Sequence, residues 1–224
     1  MRKISFLLSC FMLPASCFLL LASSAFALTV DNFEQYETGK FPSSWRTWPF
    51  QRGKAMEVYK VEGENGNKFL HAFDDKDVSV QTLRDFYWKV NSYPVLSWRW
   101  RARELPKGAN ELNNDLNDSA CGVYVVLSKA RQMMLKYAWS TTAPKGSFRE
   151  KVKDKAYIII AESGPKNLNK WQTVRINVLD EYKKYFKEKL DKNPVAVAIL
   201  TDGNAVHSAA SCDYDDFKIG EASK

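Results

Sequence analysis

Apolar and polar residues alternate along most of the chain at the two-residue period of a strand. In LSWRWRARELPKG, Leu96, Trp98, Trp100 and Ala102 fall on one parity and Ser97, Arg99, Arg101 and Arg103 on the other. Successive strand side chains point to opposite faces, so one face here is indole and the other guanidinium. Alternation, or a wholly apolar run of strand length, also marks VDNFEQY, AMEVYKV, FLHAF, CGVYVVLS, MLKYAWST, AYIIIAES, WQTVRINV, PVAVAILT and YDDFKIG. Turn-forming stretches separate these runs, notably Gly63-Glu64-Asn65-Gly66, Pro106-Lys107-Gly108, Ala143-Pro144-Lys145-Gly146 and Gly164-Pro165. In LDEYKKYFKEKL the period changes: Leu179, Tyr182, Phe186 and Leu190 recur at helical spacing, which predicts a surface-docked helix over Leu179–Leu190. A second helix is predicted over Val80–Trp88. Many short strands and few helices predict an all-β fold, a jelly-roll β-sandwich with one or two short helices, with a closed barrel as the alternative.

The first residues read as an address. MRKISFLLSCFMLPASCFLLLASSAFA begins with Arg2 and Lys3, continues apolar and ends on Ala25-Phe26-Ala27. That order predicts a secretory signal peptide over residues 1–27, cut after Ala27. An uncleaved anchor fits less well, because Ser9, Pro14 and Ser16 interrupt the run. Cys17 as a lipid attachment point also fits less well, because Pro14 stands where a lipobox takes an aliphatic residue. Residues 28–224 then form one domain without linker or repeat, and no transmembrane segment is expected after cleavage.

The chain has 33 Lys and Arg against 26 Asp and Glu, a formal charge of +7, and losing Arg2 and Lys3 leaves +5. That excess suits acidic glycans or envelope polymers. Without a basic block carrying interleaved aromatics, nucleic acid is not expected as a partner. Two of the four cysteines leave with the signal peptide. In an oxidising compartment the remaining two, Cys121 and Cys212, are expected to be bonded; two separately buried thiols are the alternative.

Parity on four runs assembles a polar face. Trp98 and Trp100, Val123 and Val125, Leu135, Tyr137 and Trp139, and Val174 and Ile176 read as inward. Arg99, Arg101, Tyr124, Lys136 and Arg175 then read as outward, and if the four strands share a sheet they form one ligand-binding surface. Trp45, Trp48 and Trp88 are placed to flank it. Three arginines in a stripe must be neutralised, either by carboxylates of neighbouring strands or by a ligand held bidentately.

The succession VDNFE, SSW, PVLSWRWRARELP, VYVVL, LKYAWS, KWQTVRINVLDEYKKYF, TDGN and YDDFKIG resembles a family of bacterial secreted proteins known only as domain of unknown function 3047, to which no activity is assigned. Asn117-Asp118 and Gly203-Asn204 stand where that pattern places further acidic residues. Trp171 entering a strand, and the terminal Tyr-Asp-Asp-Phe strand, are similar to galactose-binding-like jelly rolls, a fold that many carbohydrate-binding modules share. The resemblance implies fold, not function.

Candidate chemistry is sparse. Only His71 and His207 are present. His71 reads as a structural imidazole in a half-buried strand, and His207 beside Ser208 makes no triad. Neither a nucleophile elbow, nor zinc-ligand spacing, nor a phosphate loop occurs, so no cofactor is expected. Calcium held by Asp31 together with Asp215-Asp216 is the weak exception, and no metal site is assigned. Paired carboxylates (Asp74, Asp75 and Asp77; Asp115 and Asp118; Asp202; Asp213, Asp215 and Asp216) with Tyr124 or Tyr137 as base leave a polysaccharide lyase or hydrolase as the rival reading. The expectation is a periplasmic or secreted, non-catalytic binding module for a glycan or another anionic envelope polymer. A structural or protein-interaction role in the envelope is the second rival.

Overall fold

The computed structural model describes residues 27–222. Apart from Ala27, the predicted signal peptide lies outside the described residues, as do Cys10 and Cys17. The strands are β1 (Ala27–Asp31), β2 (Tyr59–Glu64), β3 (Asn67–Asp74), β4 (Thr82–Asp85), β5 (Val95–Glu104), β6 (Ser119–Ser128), β7 (Met133–Ser140), β8 (Phe148–Val152), β9 (Ala156–Ser163), β10 (Gln172–Asn177), β11 (Ala196–Asp202) and β12 (Ala210–Gly220). They form two six-stranded sheets. The first runs β10-β5-β12-β3-β2, with β1 also on β12, and the second runs β4-β11-β6-β7-β9-β8. β12 pairs β3 along its first half and β1 along its last residues, while β5 follows its other edge. The all-β sandwich expected from the alternation is the fold observed.

The inward parity is the core. Trp98 and Trp100 of the first sheet meet Tyr137 and Trp139 of the second with ring centroids 5.6 and 6.1 Å apart. All four rings are fully buried, and truncating such a ring typically costs ~3–5 kcal/mol. Tyr214 crosses from β12 to the second sheet. Its hydroxyl accepts from the Gly122 amide at 3.0 Å and donates to the Leu200 carbonyl at 3.2 Å, so it is buried without being orphaned. Cys121 of β6 is bonded to Cys212 of β12, which joins the sheets covalently.

Four local expectations are corrected. AMEVYKV is not one strand, because helix α1 (Arg52–Val58) buries Ala55 and Val58 three residues apart before β2 begins at Tyr59. Val80–Trp88 is not helical: β4 pairs with Ala196–Ile199 of β11, and Leu83 bridges Arg46, so ladder bonds override the local pattern. Helix α2 (Val178–Phe186) ends early, closed by Lys187 at φ 60°. At its start the Asn177 carboxamide oxygen accepts from the Leu179 and Asp180 amides. FREKV, unmarked by alternation, forms the edge strand β8.

Candidate functional site

The outer face of the second sheet is hollowed into a cleft of about 480 Å³, within the ~300–1,000 Å³ of small-ligand sites. Small outward residues line it, Ala156 on β9 and Ala196 on β11. One register row crosses the sheet as Ala198, Tyr124, Lys136, Ile158 and Arg149. Trp48 and Arg46 form one wall, and Lys151 and Val152 of β8 form the other. Pro49 follows Trp48 and restricts it to extended backbone, φ −60° and ψ 137°, just before a 3-10 turn over Pro49–Gln51. The indole is left 66 % exposed.

Lys136 lies in the cleft floor yet is only 3 % exposed. A Cβ at Gly122 would meet the Lys136 Cε at 3.0 Å and the Leu200 carbonyl oxygen at 2.9 Å, so glycine makes room for the lysine stem. Burial opposes the Lys136 charge, but Tyr124, Asp202 and Glu111 outweigh it and hold the ammonium above the ordinary lysine pKa. Its carboxylate neighbours are also shifted upward, which for an acid disfavours the charged form. Burial raises Asp202 and Glu111, although Lys136 pulls both down, and burial likewise raises Asp118. Asp202 accepts from the Ser79 hydroxyl at 3.0 Å, and Glu111 accepts from the Ser140 hydroxyl. Neither carboxylate lines the cleft, and each is nearly or fully buried. The Tyr124 hydroxyl is pushed up by burial, which makes it a poor base at neutral pH.

The expected five-residue polar face is split. Tyr124 and Lys136 belong to the second sheet, whereas Arg99 and Arg101 on β5 and Arg175 on β10 belong to the first and face the opposite way. Outward alternation was read correctly on each strand; the shared sheet was not. Arg99 binds Asp215 and Asp216 at 2.6 and 2.7 Å, and Arg101 binds Asp213 and Glu64 at 2.7 and 2.8 Å. Arg103 also binds Asp213, at 2.6 Å, and His71 Nδ1 sits 2.7 Å from the same carboxylate. Burial would raise Asp213, but hydrogen bonds from His71 and Arg103 outweigh it and hold its pKa below the usual range. Trp171 caps the row, 4.6 Å from the Arg101 guanidinium and 5.0 Å from that of Arg99. Arg175 is exposed near the chain end and donates to the Glu221 carbonyl at 3.2 Å.

Of the flanking tryptophans, Trp48 reaches the cleft, while Trp45 and Trp88 are core. β1 does neighbour β12, as the calcium idea required. However, the Asp31 carboxylate already accepts from Tyr36 and Trp45, each at 2.8 Å, and among the described residues no acidic, histidine or cysteine group is arranged to hold a metal. Sequence reasoning missed Glu111, Arg149 and Lys151, which come from a loop and from the unrecognised edge strand.

A family model described as a protein of unknown function, DUF3047, matches residues 43–218. The chain belongs to that family. No curated protein matches this DUF3047 sequence. Among solved structures it is similar to the family 11 carbohydrate-binding module of the cellulosomal cellulase Lic26A-Cel5E of Clostridium thermocellum, at 11 % identity and TM-score 0.43, covering 89 % of this chain and 97 % of that one. It is similar to TmCBM61 in complex with β-1,4-galactotriose at 13 % identity and TM-score 0.43, covering 87 % and 97 %. The K2 cleaved adhesin domain of Lys-gingipain is likewise similar, at 11 % identity and TM-score 0.43, covering 88 % and 98 %. Likeness at this distance identifies no ligand for DUF3047.

Proposed function

We propose that this DUF3047 protein is a periplasmic or secreted, non-catalytic module that binds a glycan chain in the outer cleft of its second sheet. The observation that carries this is the cleft itself: an apolar floor with Tyr124 and Lys136 at its centre and a solvent-exposed indole, Trp48, on its wall. Flat aromatic faces beside a few fixed polar groups suit pyranose rings, which present apolar faces and hydroxyl edges. The net positive charge left after loss of the signal peptide favours glycans that carry acid groups over neutral ones. The cross-sheet disulfide fits an oxidising compartment.

A lyase or hydrolase on the same surface is less well supported. Catalysis there would need a carboxylate pair or a basic tyrosine facing the substrate. Asp202 and Glu111 are buried and do not line the cleft, and Tyr124 is shifted away from the anionic form. In this reading Arg99 and Arg101 hold the first sheet together and do not meet the ligand.

The test is calorimetry and affinity electrophoresis of the mature protein against a panel of soluble neutral and acidic polysaccharides, with Trp48→Ala alongside. Expected are binding without turnover and a loss of about tenfold or more in affinity on Trp48→Ala, about 1.4 kcal/mol, with unchanged melting. Binding that survives Trp48→Ala undiminished, or release of reducing ends or unsaturated products, overturns the proposal.

A further inference from the structure

Charge is compensated unevenly along the cleft. On the Trp48 side, Arg46 and Lys129 share Asp85, with Arg46 at 2.6 Å. In the floor, Lys136 is balanced by the buried carboxylates of Asp202 and Glu111. The β8 wall differs. Among the described residues, no carboxylate lies within ion-pair distance of Lys151, whose side chain lines the cleft. Arg149, two residues earlier, stands opposite the cleft-lining Ile158, and a register shift between Glu150 and Val152 sets Lys151 out of the alternation; the Arg149 guanidinium donates only to the neutral carboxamide oxygens of Asn114 and Asn117, the latter at 3.2 Å. Its Nε is buried without a partner. Arg149 also ends the row that carries Tyr124 and Lys136 across the floor.

Resting on the glycan-binding reading, we infer that Lys151, backed by the Arg149 charge, forms the subsite for an acid group of the bound glycan, the carboxylate of a uronic acid residue. Two cations two residues apart on one strand, next to a third in the floor, repel one another until an anion lies between them. Burial lowers the Lys151 pKa, and the Lys136 and Arg149 charges lower it further against the pull of Asp202, which is the signature of a cation with neighbours of its own sign. Lys151, exposed on the cleft wall, brings an ammonium that meets the carboxylate, and Arg149, its two terminal nitrogens held by Asn114 and Asn117, adds fixed positive charge beside it. Glu111 lies close enough to attract Arg149, but it is fully buried, hydrogen-bonded to Ser140 and shifted toward its neutral form, so it does not take the ligand's place. Lys136 is a positioning residue here. Its charge is committed to the buried carboxylates of Asp202 and Glu111, and its stem shapes the floor.

The test uses the mature protein and two probes of matched length, an oligogalacturonate and the neutral galacto-oligosaccharide, measured by calorimetry at low and high salt. Wild type is expected to prefer the oligogalacturonate, with affinity falling as salt rises. Lys151→Met is expected to weaken that probe about tenfold more than the neutral one, as for loss of one charge-assisted hydrogen bond, and Lys151→Glu to abolish the preference; both should leave melting unchanged, and an equal loss on the two probes overturns the subsite. Equal affinity of wild type for the two probes, or full oligogalacturonate binding by Lys151→Glu, overturns the subsite while leaving the cleft as a glycan site. Binding of neither probe also overturns the subsite. If, in addition, no polysaccharide of the wider panel binds, the glycan reading itself fails.

Discussion

Replacing Lys136 by methionine removes one buried cation from the cleft floor and keeps most of the stem that packs over Gly122. Asp202 and Glu111 then lose the charge that draws their pKa values down. Breaking a buried pair by removing one partner costs ~3–5 kcal/mol when the other stays charged. Here the remaining carboxylates can escape by taking up protons, since burial already holds them above the ordinary range. The cost at neutral pH is therefore set at the low end, about 3 kcal/mol, which for a domain of this size is a melting decrease of roughly 6–12 °C.

The pH dependence carries the reasoning. A carboxyl whose folded pKa lies above its unfolded value favours the folded state below the unfolded pKa, near 3.9 for Asp and 4.3 for Glu, and that advantage fades as pH rises through the folded value. Removing Lys136 raises the folded values further. The gap between Lys136→Met and wild type should therefore be small near pH 4 and widen toward pH 7. Urea unfolding at closely spaced pH values measures it. A gap that is flat across this range, or widest in acid, refutes the claim that Lys136 is held by Asp202 and Glu111.

Asp213 behaves oppositely. Its folded pKa is depressed, so its contribution is present above about pH 3.9 and is lost as pH falls through the lower folded value; Asp213→Asn should cost ~3–5 kcal/mol at pH 7, with a gap that urea melts show closing only below pH 4. Arg101→Met leaves Asp213 and Glu64 each short a partner and should lower melting markedly, whereas Arg175→Ala on the exposed edge should stay within about 0.5 kcal/mol in the same melts. Reducing Cys121–Cys212, which spans 91 residues, should cost about 4–5 kcal/mol in the chain-entropy model, and alkylation of unfolded, unreduced mature protein should add no label by intact mass.

What alternation could reveal was a property of each strand alone. It put Trp98, Trp100, Tyr137 and Trp139 inward because a two-residue period needs no knowledge of neighbours. Which strands share a sheet depends on pairings such as Arg101 with Asp213, 112 positions apart, and nothing local encodes them. Arg99 and Tyr124 therefore looked like members of one surface and lie on two. A further sign was present but harder to weigh. VYVVL, YIII and VAVAIL are apolar on both parities, whereas WRWRAR is not. A strand apolar on both faces has something covering its outer face, and all three runs lie in the second sheet. There Leu112 and Ala143 pack on the outward Ala138, Ile158 and Ile160, and the remaining outer face is the cleft, lined by Ala156 and Ala196 around two polar exceptions, Tyr124 and Lys136. The alternating strand belongs to the first sheet, where Asp213 and Asp215 close its arginine face. The polar residue flanked by apolar ones on both parities thus marks the cleft better than the conspicuous charged row, because charge in this stripe is matched within the sheet, while a lone lysine among Val, Ala and Ile has to be held by groups brought from elsewhere in the fold.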